Sequence, residues 1–210
     1  MKTKEEVVQQ IRASGLVAVV RANTPEQARR ITEDCLEGGV QAIEMTFTVP
    51  FAHRVMEEIA RDYGDRILLG AGTVLDPETA RIAILSGAQF IVAPHFNPDT
   101  VRLCNRYRVA VMAGILTIRE AVEALESGVD VLKLFPGGLF GPAFIKDIHG
   151  PLPYAPIMPT GGVDIGNAGD WIRAGAVAVG AGTALTKGDV KANARAFLDE
   201  IRKAREEKAV

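Results

Sequence analysis

The chain has 210 residues, of which 48% are hydrophobic and 24% are charged, and its formal net charge is −2; this profile is typical of a soluble globular protein with one large core or two small ones. The near-balanced charge argues against nucleic acid or an acidic membrane surface as the main partner. The N-terminus lacks the apolar core of a signal peptide, and no apolar run approaches the length of a membrane span, so we expect a cytoplasmic protein with no membrane partner.

Eight short apolar runs, rich in Val and Ile, predict eight β-strands. Consecutive runs begin about 20 to 27 residues apart, which is the spacing of alternating strands and helices. The predicted strands are 15–21, 42–47, 67–74, 90–95, 110–116, 131–136, 156–163 and 176–185.

The segments between the strands have helical patterns with clear start signals. The first has Thr24 as its candidate N-cap and Gln27 as the partner three residues later. The segments that begin at Asp76 and Thr117 repeat this formula. A longer, highly charged helix is predicted over about 188–206, and the amphipathic N-terminus predicts one more helix.

The pattern of the strands indicates the fold class, α/β. Strands that are apolar along their whole length are typical of a parallel sheet with both faces covered. Eight strand–helix units therefore predict a single-domain (β/α)8 TIM barrel over residues 1–210, with an N-terminal helix. An open doubly wound sheet is the alternative. The first strand is not followed by G-x-G-x-x-G, and no acidic ribose-binding signature is found, which favours the barrel.

Lys133 is unusual because it is the one lysine of the sequence that lies within a predicted strand. Side chains alternate along a strand, so the leucines on either side of Lys133 share one face and Lys133 points into the barrel. The same rule directs the apolar neighbours of Glu44 toward the helices and Glu44 inward. We therefore expect the lysine and the glutamate to converge near one rim of the barrel.

This pair has two interpretations. A buried Lys–Glu ion pair could serve only to hold the core together, but apolar packing does this better. A desolvated lysine is also a nucleophile toward carbonyl groups and forms Schiff bases, and an adjacent carboxylate can move the protons that the reaction needs. We favour the second interpretation, with Lys133 as the nucleophile and Glu44 as the general acid and base.

Two glycine-rich turns follow the last two predicted strands, at 159–163 and 180–185. Tight turns between a strand and a helix often need glycine, which is the simpler explanation. In (β/α)8 barrels, however, loops at these two positions often bind phosphate through backbone N–H groups. We therefore predict a phosphate site.

The sequence GAGT occurs at 70–73 and again at 180–183. The two copies end the third and eighth predicted strands, which is not the offset of half a barrel, so we infer no internal duplication.

The cysteine and histidine residues give weaker indications of function. Cys35 and Cys104 lie in helical segments without an activating motif, so we interpret them as packing residues and expect no disulfide. His95 lies at a strand end and is interpreted as a rim residue. No set of His, Asp and Glu residues has the spacing of metal ligands, so we predict neither a metal nor a cofactor.

Taken together, these motifs resemble the 2-keto-3-deoxy-6-phosphogluconate (KDPG) aldolases, also called KDPG/KHG aldolases. The resemblance covers nearly the whole chain and is carried by the stretches GGVQAIEMTFTVPFA, LLGAGTVLDPE, GAQFIVAPHFNPD, VLKLFPGGLFGPAFIKDIHGPLP and MPTGGV. The combination of KLFPG with PTGGV at this distance is far more specific than either motif alone.

The resemblance implies a class I aldolase of the Entner–Doudoroff pathway, a homotrimeric lyase that needs no metal. Its reaction would be the reversible cleavage of KDPG to pyruvate and D-glyceraldehyde 3-phosphate through a lysine Schiff base. Some members of the family also cleave 4-hydroxy-2-oxoglutarate to pyruvate and glyoxylate. The expected partners are thus small molecules, namely a phosphorylated 2-keto-3-deoxy sugar acid and pyruvate.

The resemblance also implies roles for particular residues. Lys133 matches the Schiff-base lysine and Glu44 the general acid and base. The residues expected to line the pyruvyl pocket are Thr73, Pro94, Phe135 and Thr160. Those expected to bind phosphate are Gly161, Gly162, Gly182 and Thr183. Arg21 would lie at the mouth of the substrate site.

Thr48 departs from the pattern of the family. Many members have at this position an arginine that binds the substrate carboxylate, and threonine cannot form that charged, bidentate contact. We expect neutral donors, Thr73 and Thr48, or else Arg21, to bind the carboxylate instead. Two other functions stay open: a different sugar-phosphate enzyme on the same barrel, such as an epimerase, isomerase or decarboxylase, and an engineered oligomeric scaffold.

Overall fold

The computed structural model describes residues 2–208 and shows, within them, eight strands that alternate with helices. The strands are β1 (Leu16–Val20), β2 (Ala42–Thr46), β3 (Leu68–Gly72), β4 (Phe90–Val92), β5 (Ala110–Ile115), β6 (Val131–Leu134), β7 (Ile157–Pro159) and β8 (Val179–Ala181). The helices are α1 (Lys4–Ser14), α2 (Pro25–Glu37), α3 (Ala52–Tyr63), α4 (Pro77–Leu85), α5 (Pro98–Arg106), α6 (Ile118–Glu126), α7 (Ala143–His149), α8 (Ala168–Ala174), α9 (Thr183–Thr186) and α10 (Val190–Lys208).

The strands form one parallel sheet in the order β7-β6-β5-β4-β3-β2-β1-β8. Its two ends meet through a bridge between Thr160 and Gly180. The N–H of Val177 also donates to the carbonyl of Ile157 at 2.9 Å. The (β/α)8 barrel predicted from the strand spacing is therefore confirmed, and β7 and β8 close it.

Local sequence signals determine where several helices begin. The side chains of Thr24, Asp76 and Thr117 each accept a hydrogen bond from the N–H three residues later, as predicted. Thr117 also forms the reciprocal capping box. Gln27 differs from the prediction, because its side chain accepts from the N–H of Asn23 at 3.0 Å and not from that of its own cap.

The predicted N-terminal helix is present as α1 and covers the amino-terminal end of the barrel. Val7 and Ile11 pack against the apolar cluster in the barrel interior. The Nζ of Lys4 lies 3.0 Å from Oδ2 of Asp130 and donates to Oδ1 of Asn105 at 2.6 Å. Apolar contacts and a nearly buried ion pair thus fix this helix at the end of the barrel opposite to the carboxyl ends of the strands.

The predicted strands 156–163 and 176–185 are too long. The backbone leaves β7 because Gly161 and Gly162 adopt φ angles of 81° and 77°, in the left-handed region that favours glycine. After β8 the chain turns directly into the short helix α9. Gly161, Gly162 and Gly182 therefore lie beyond the strands, at the carboxyl-terminal rim where barrel enzymes place their sites.

Candidate active site

Lys133 and Glu44 both lie inside the barrel, as the alternation of side chains predicts. On β6, both leucines belong to the apolar layer between the sheet and the helices, whereas Val131 belongs to the interior cluster. Lys133 shares the interior face with Val131, and Glu44 shares it with Ala42 on β2. The two ionisable side chains therefore reach the interior from strands far apart in the sequence.

The two charged groups face each other. Lys133 Nζ lies 3.5 Å from Glu44 Oε1, and the two side chains are only 5% and 1% exposed. The other carboxylate oxygen, Glu44 Oε2, has no hydrogen-bond partner in the described part of the chain. The ring centroid of Phe135 lies 5.2 Å from Nζ. A desolvated pair with an unused acceptor oxygen can transfer protons. A purely structural role is disfavoured, because apolar side chains would stabilise the core better than this ion pair does.

Gly72 makes room for the carboxylate of Glu44. A Cβ atom built on Gly72 would lie 2.6 Å from Glu44 Cδ and closer still to Oε1. Two residues earlier on the same face of β3, Gly70 makes room for the ring of Phe90 in the same way. The first GAGT sequence thus has a structural explanation, because its two glycines admit side chains from other strands into the interior.

Pro94 reaches the interior through its backbone. The chain after β4 places the Pro94–His95 peptide over Gly114, where a Cβ atom would lie 2.5 Å from the backbone nitrogen of His95. Gly114 is paired with Lys133 in the register of β5 and β6. The Pro94 carbonyl is therefore at the same level of the barrel as the lysine, and the side chain of His95 is exposed at the rim.

Thr73 directly follows β3 and has a φ angle of 56°. A β-branched residue rarely adopts this left-handed conformation, which costs about 1–3 kcal/mol and is concentrated at functional positions. The preceding residue is Gly72, which faces Glu44. The strained backbone of Thr73 therefore begins where the strand ends beside the ionisable pair.

Thr48 is held by a second threonine. The hydroxyl of Thr46 donates to the carbonyl of Val20 at 2.9 Å and lies 2.8 Å from Oγ1 of Thr48. Because Thr46 has one hydroxyl proton and gives it to the carbonyl, Thr48 must be the donor in the pair of threonines. The Thr48 oxygen can then accept a hydrogen bond but cannot donate one to a carboxylate. In this arrangement Thr48 does not replace the carboxylate-binding arginine that the resemblance implies at this position.

An open cavity of about 670 Å³ lies at the carboxyl-terminal end of the barrel. Among the residues that line it are Arg21, Phe135, Thr160, Gly161, Gly162, Gly182 and Thr183, all singled out from the sequence. Phe135 connects the cavity to the ionisable pair, because its ring also contacts Lys133. Thr48, Thr73 and Pro94 are not part of this lining and lie after β2, β3 and β4.

Thr160 contributes a buried hydroxyl to this region. The residue is 5% exposed, and its Oγ1 has no hydrogen-bond partner among residues 2–208. Gly180 on β8 leaves the space for it, since a Cβ atom there would lie 3.1 Å from Thr160 Cγ2 and nearer to Oγ1. A buried polar group without a partner is unfavourable by about 1–3 kcal/mol, so this hydroxyl is available for a ligand.

The turn after β7 has carbonyl groups that are engaged in hydrogen bonds and N–H groups that are unused. The carbonyls of Thr160 and Gly161 accept hydrogen bonds from the N–H groups of Gly137 and Gly138, both at 2.8 Å. The N–H groups of Gly161 and Gly162 donate to no acceptor within the described residues. Unused backbone donors on residues that line a cavity are suited to an anionic group.

The second glycine-rich turn adds a similar donor, and two cationic residues from outside the turn line the same cavity. The N–H of Thr183, the first residue of α9, also lacks an acceptor in the part of the chain that the structure describes. Arg21 and Lys187 line the same cavity, together with the acidic Asp164. Sequence reasoning missed Lys187, which belongs to no motif. It also missed Asp164 and Asn167, whose spacing is a signal of a side-chain-capped turn.

Cys35 and Cys104 are buried in α2 and α5, as expected of packing residues, and burial raises the pKa of each thiol to about 12. Within residues 2–208, no three His, Cys, Asp or Glu side chains are placed to hold a metal ion. None of the described helices is long and apolar enough to cross a membrane.

A parallel (β/α)8 barrel with a buried ionisable pair next to a cavity at its carboxyl-terminal end has the architecture of a barrel enzyme. The family model described as "KDPG and KHG aldolase" matches residues 7–202. The chain belongs to this family, and the protein is therefore an aldolase, that is, a lyase. The resemblance noted in the sequence is confirmed.

Curated relatives of this chain carry two substrate names. The 2-dehydro-3-deoxy-6-phosphogalactonate aldolase of Escherichia coli (strain K12) is 36% identical over 171 residues, which are 81% of this chain and 83% of the relative. The 2-dehydro-3-deoxy-phosphogluconate aldolase of Treponema pallidum (strain Nichols) is 34% identical over 173 residues, which are 82% of this chain and 80% of the relative.

Solved structures give the same fold. The structure described as native KDPGal is 34% identical, with a TM-score of 0.86, over 91% of this chain and 96% of its own. A chain of a cube-shaped protein cage, designed by fusing symmetric oligomeric domains, is 33% identical with a TM-score of 0.88, over 93% of this chain and 74% of that one. These two solved chains therefore share the fold of this barrel over more than nine tenths of its length.

Proposed function

We propose that this protein reversibly cleaves KDPG, a 2-keto-3-deoxy-6-phospho sugar acid, to pyruvate and D-glyceraldehyde 3-phosphate through a Schiff base on Lys133. The observation that carries the proposal is the interior pair of Lys133 and Glu44, 3.5 Å apart and almost wholly desolvated. Membership of the aldolase family supports the reaction class. The names of the relatives support a phosphorylated sugar acid as the substrate.

Lys133 is the proposed nucleophile. Its neutral amine attacks the C2 ketone of the substrate, and loss of water gives an iminium ion. When the proton of the C4 hydroxyl is removed, the C3–C4 bond breaks, and its electron pair passes into the iminium system as an enamine. Glyceraldehyde 3-phosphate leaves, C3 of the enamine takes up a proton, and hydrolysis releases pyruvate.

Glu44 is the proposed acid and base for these steps. One oxygen faces Lys133 Nζ, and the other has no hydrogen-bond partner among the described residues, so the carboxylate can take up and return protons next to the reacting atoms. Replacement by glutamine keeps the size but removes this capacity. We expect Glu44→Gln to lower kcat by about 10²- to 10⁴-fold.

The cavity residues are proposed to hold the rest of the substrate. Unused N–H groups at Gly161, Gly162 and Thr183 suit the phosphate, with Gly182 next to Thr183 in the second turn and Arg21 at the mouth. The pyruvyl end is assigned to Thr73, Pro94, Phe135 and Thr160. Of these, Thr160 has the strongest support, because its buried hydroxyl has no partner in the described chain.

The substrate carboxylate has a less obvious partner. The hydroxyl proton of Thr48 is committed to Thr46, so Thr48 binds a carboxylate only if that pair rearranges. The Thr160 hydroxyl and the Arg21 guanidinium are the better donors. Removing the Thr48 hydroxyl by Thr48→Val tests this, and we expect a change in KM for pyruvate of less than about threefold.

Trapping with borohydride tests the Schiff base. Pyruvate and borohydride should give a covalent adduct that peptide mass spectrometry places on Lys133, and the Lys133→Met variant should give none. Lys146, exposed on α7, is the matched control, because Lys146→Met should be trapped as fully as the parent. The absence of an adduct on Lys133 in the folded parent protein refutes the mechanism.

Steady-state kinetics test the substrate. KDPG, its galacto epimer and 4-hydroxy-2-oxoglutarate are compared by kcat/KM, each with and without a chelator. We expect the phosphorylated sugar acids to be preferred by more than about tenfold and the chelator to have no effect. If none of the three is cleaved, the proposed function is wrong.

We further propose that the protein is a cytoplasmic homotrimer. Light scattering tests the oligomeric state, and a mass other than that of three chains contradicts the trimer.

A further inference from the structure

The cavity proposed to bind phosphate is lined by a turn in which three successive carbonyl groups, those of Thr160, Gly161 and Gly162, accept hydrogen bonds. Gly137 and Gly138 hold the carbonyls of Thr160 and Gly161. The carbonyl of Gly162 accepts a hydrogen bond of 2.9 Å from Nδ2 of Asn167. A peptide unit whose carbonyl is fixed on one side has its N–H fixed on the other side. The three bonds therefore orient, in turn, the N–H groups of Gly161, Gly162 and Val163, which all line the cavity and donate to no acceptor within the described residues.

Asn167 uses both ends of its side-chain amide. While Nδ2 donates to the carbonyl of Gly162, Oδ1 accepts from the N–H of Asp164 at 3.0 Å. The backbone N–H of Asn167 in turn donates to Oδ1 of Asp164 at 3.0 Å. Asn167 immediately precedes helix α8, so the turn is anchored to a regular element. A side-chain amide suits this position because it carries its donor and its acceptor on two separate atoms of one planar group.

Asn167 does not line the cavity, whereas Gly161, Gly162 and Asp164 do. Its effect on a ligand must therefore pass through the backbone of the turn. The bonds from Gly137 and Gly138 end at the Gly161 carbonyl, and both glycines of the turn have left-handed φ angles and no side chains, so the Gly162–Val163 peptide depends on Asn167 for its orientation. The close approach of Gly162 to Gly138, where a Cβ atom would lie 2.7 Å from the Cα of Gly138, leaves the turn one well-fitting position.

We propose that Asn167 is a positioning residue that determines the preference for a phosphorylated substrate without touching it. This inference rests on the proposed function for the identity of the substrate, but not for the geometry of the turn. Loss of the bond to the Gly162 carbonyl frees the Gly162–Val163 peptide to rotate, so the Val163 N–H is no longer held in line with the donors of Gly161 and Gly162. The Lys133–Glu44 pair lies on β6 and β2, so the bond-breaking step does not depend on Asn167.

The test compares Asn167→Ala and Asn167→Asp with the parent protein on KDPG and on its unphosphorylated analogue. We expect KM for KDPG to rise about tenfold in Asn167→Ala, which is the effect of about one well-oriented hydrogen bond. Both kcat and the kinetics of the unphosphorylated analogue should stay within about twofold of the parent. Asn167→Asp keeps the acceptor but loses the donor and adds a negative charge, so its KM for KDPG should rise further.

Asn105 is the matched control. Its side-chain amide also donates to a backbone carbonyl, that of Ser127 at 3.2 Å, but it lies at the opposite end of the barrel beside Lys4. Asn105→Ala should lower the Tm and leave both KM values unchanged. This comparison separates a loss of stability from a loss of phosphate affinity.

Two outcomes overturn the inference. One is an Asn167→Ala variant whose KM for KDPG equals that of the parent. The other is an equal loss on the phosphorylated and unphosphorylated substrates, since that would assign Asn167 to the barrel as a whole. Calorimetric binding of inorganic phosphate tests the same role of Asn167 without turnover. If the parent binds phosphate but cleaves neither sugar acid, the proposed function fails while the role of Asn167 is still decided.

Discussion

Replacing Gly72 by alanine is the sharpest perturbation of the ionisable pair, because it changes neither Lys133 nor Glu44. The added methyl group would lie 2.6 Å from Glu44 Cδ, whereas ordinary contacts begin near 3.4 Å. The carboxylate is enclosed by the barrel and only 1% exposed. It must therefore move away from its position beside Lys133 or push β2 and β3 apart.

The size of the effect follows from this geometry. The carboxyl group has to retreat by roughly 1 Å, and a misplacement of that size lowers the rate of a positioned reaction by about 10²-fold. Overpacking of a tight interior costs about 1–3 kcal/mol of folding free energy. We expect Gly72→Ala to fold, to lose a few degrees in Tm and to lower kcat for the aldol cleavage about 100-fold.

The assay measures kcat for pyruvate release together with the rate of borohydride trapping on Lys133. Gly70→Ala is the control, because Gly70 lies on the same face of β3 but a Cβ atom there would meet the ring of Phe90 and not the side chain of Glu44. It should lose at least as much stability as Gly72→Ala and keep the kcat of its folded fraction within about threefold. In a Glu44→Ala background, which removes the clash, Gly72→Ala should have little further effect on kcat.

Two results would refute this reasoning. The first is a Gly72→Ala variant that keeps parental kcat while it folds. The second is a Gly72→Ala effect of the same size with and without Glu44, since the methyl group would then act on the barrel and not on the carboxylate.

Three further predictions concern other parts of the molecule. Thr73→Gly removes the left-handed strain, which should raise the free energy of unfolding by roughly 1 kcal/mol in a urea titration; a loss of stability would contradict the strain. The pKa of Cys35 and of Cys104 is raised to about 12 by burial, so both should resist iodoacetamide at about pH 8 in the native protein. The stability that they contribute is complete below the thiol pKa of the unfolded chain and is lost as pH rises toward 12, by up to about 1.4 kcal/mol per pH unit for each thiol. A Cys35→Ala/Cys104→Ala variant should show a correspondingly flatter alkaline decline in urea titrations, and an equal slope would contradict this. Lys4→Met removes the cation beside Asp130, whose Oδ2 then keeps only the N–H of Val111 as a partner, so Tm should fall by the equivalent of about 1–3 kcal/mol. We expect kcat to stay unchanged; a fall in kcat would show that the amino-terminal end of the barrel affects the site.

Much of the fold could be predicted because local signals and long-range packing agree. The N-caps at Thr24, Asp76 and Thr117 act within one helical turn, so the sequence alone shows them. The interior placement of Lys133 and Glu44 follows from the period of two along a strand, which the two apolar layers enforce. Strand ends are harder to predict, because β7 stops where the φ angles of two glycines change and not where the apolar residues stop.

The parts of the candidate site that the sequence did not predict are contacts that depend on the folded geometry of the chain. Gly72 has a function only through the carboxylate of Glu44 on the neighbouring strand, and a glycine in a sequence does not show which side chain it admits. The sequence predicts that Thr48 can donate a hydrogen bond to a ligand. In the structure, the hydroxyl proton of Thr46 goes to the Val20 carbonyl, so that of Thr48 goes to Thr46. Asn167 is close to the glycine turn in sequence, but its bond to the Gly162 carbonyl depends on how the turn folds back.

The bridge between Thr160 and Gly180 closes the barrel next to both glycine-rich turns. A phosphate held by N–H groups of both turns would span this closure and tie β7 to β8. Any local opening of the barrel between these three-residue strands would then be coupled to the release of the phosphorylated ligand, and a bound ligand would slow amide exchange there. A bound substrate would thus add contacts across the junction of β7 and β8, where only a few residues of the protein close the barrel.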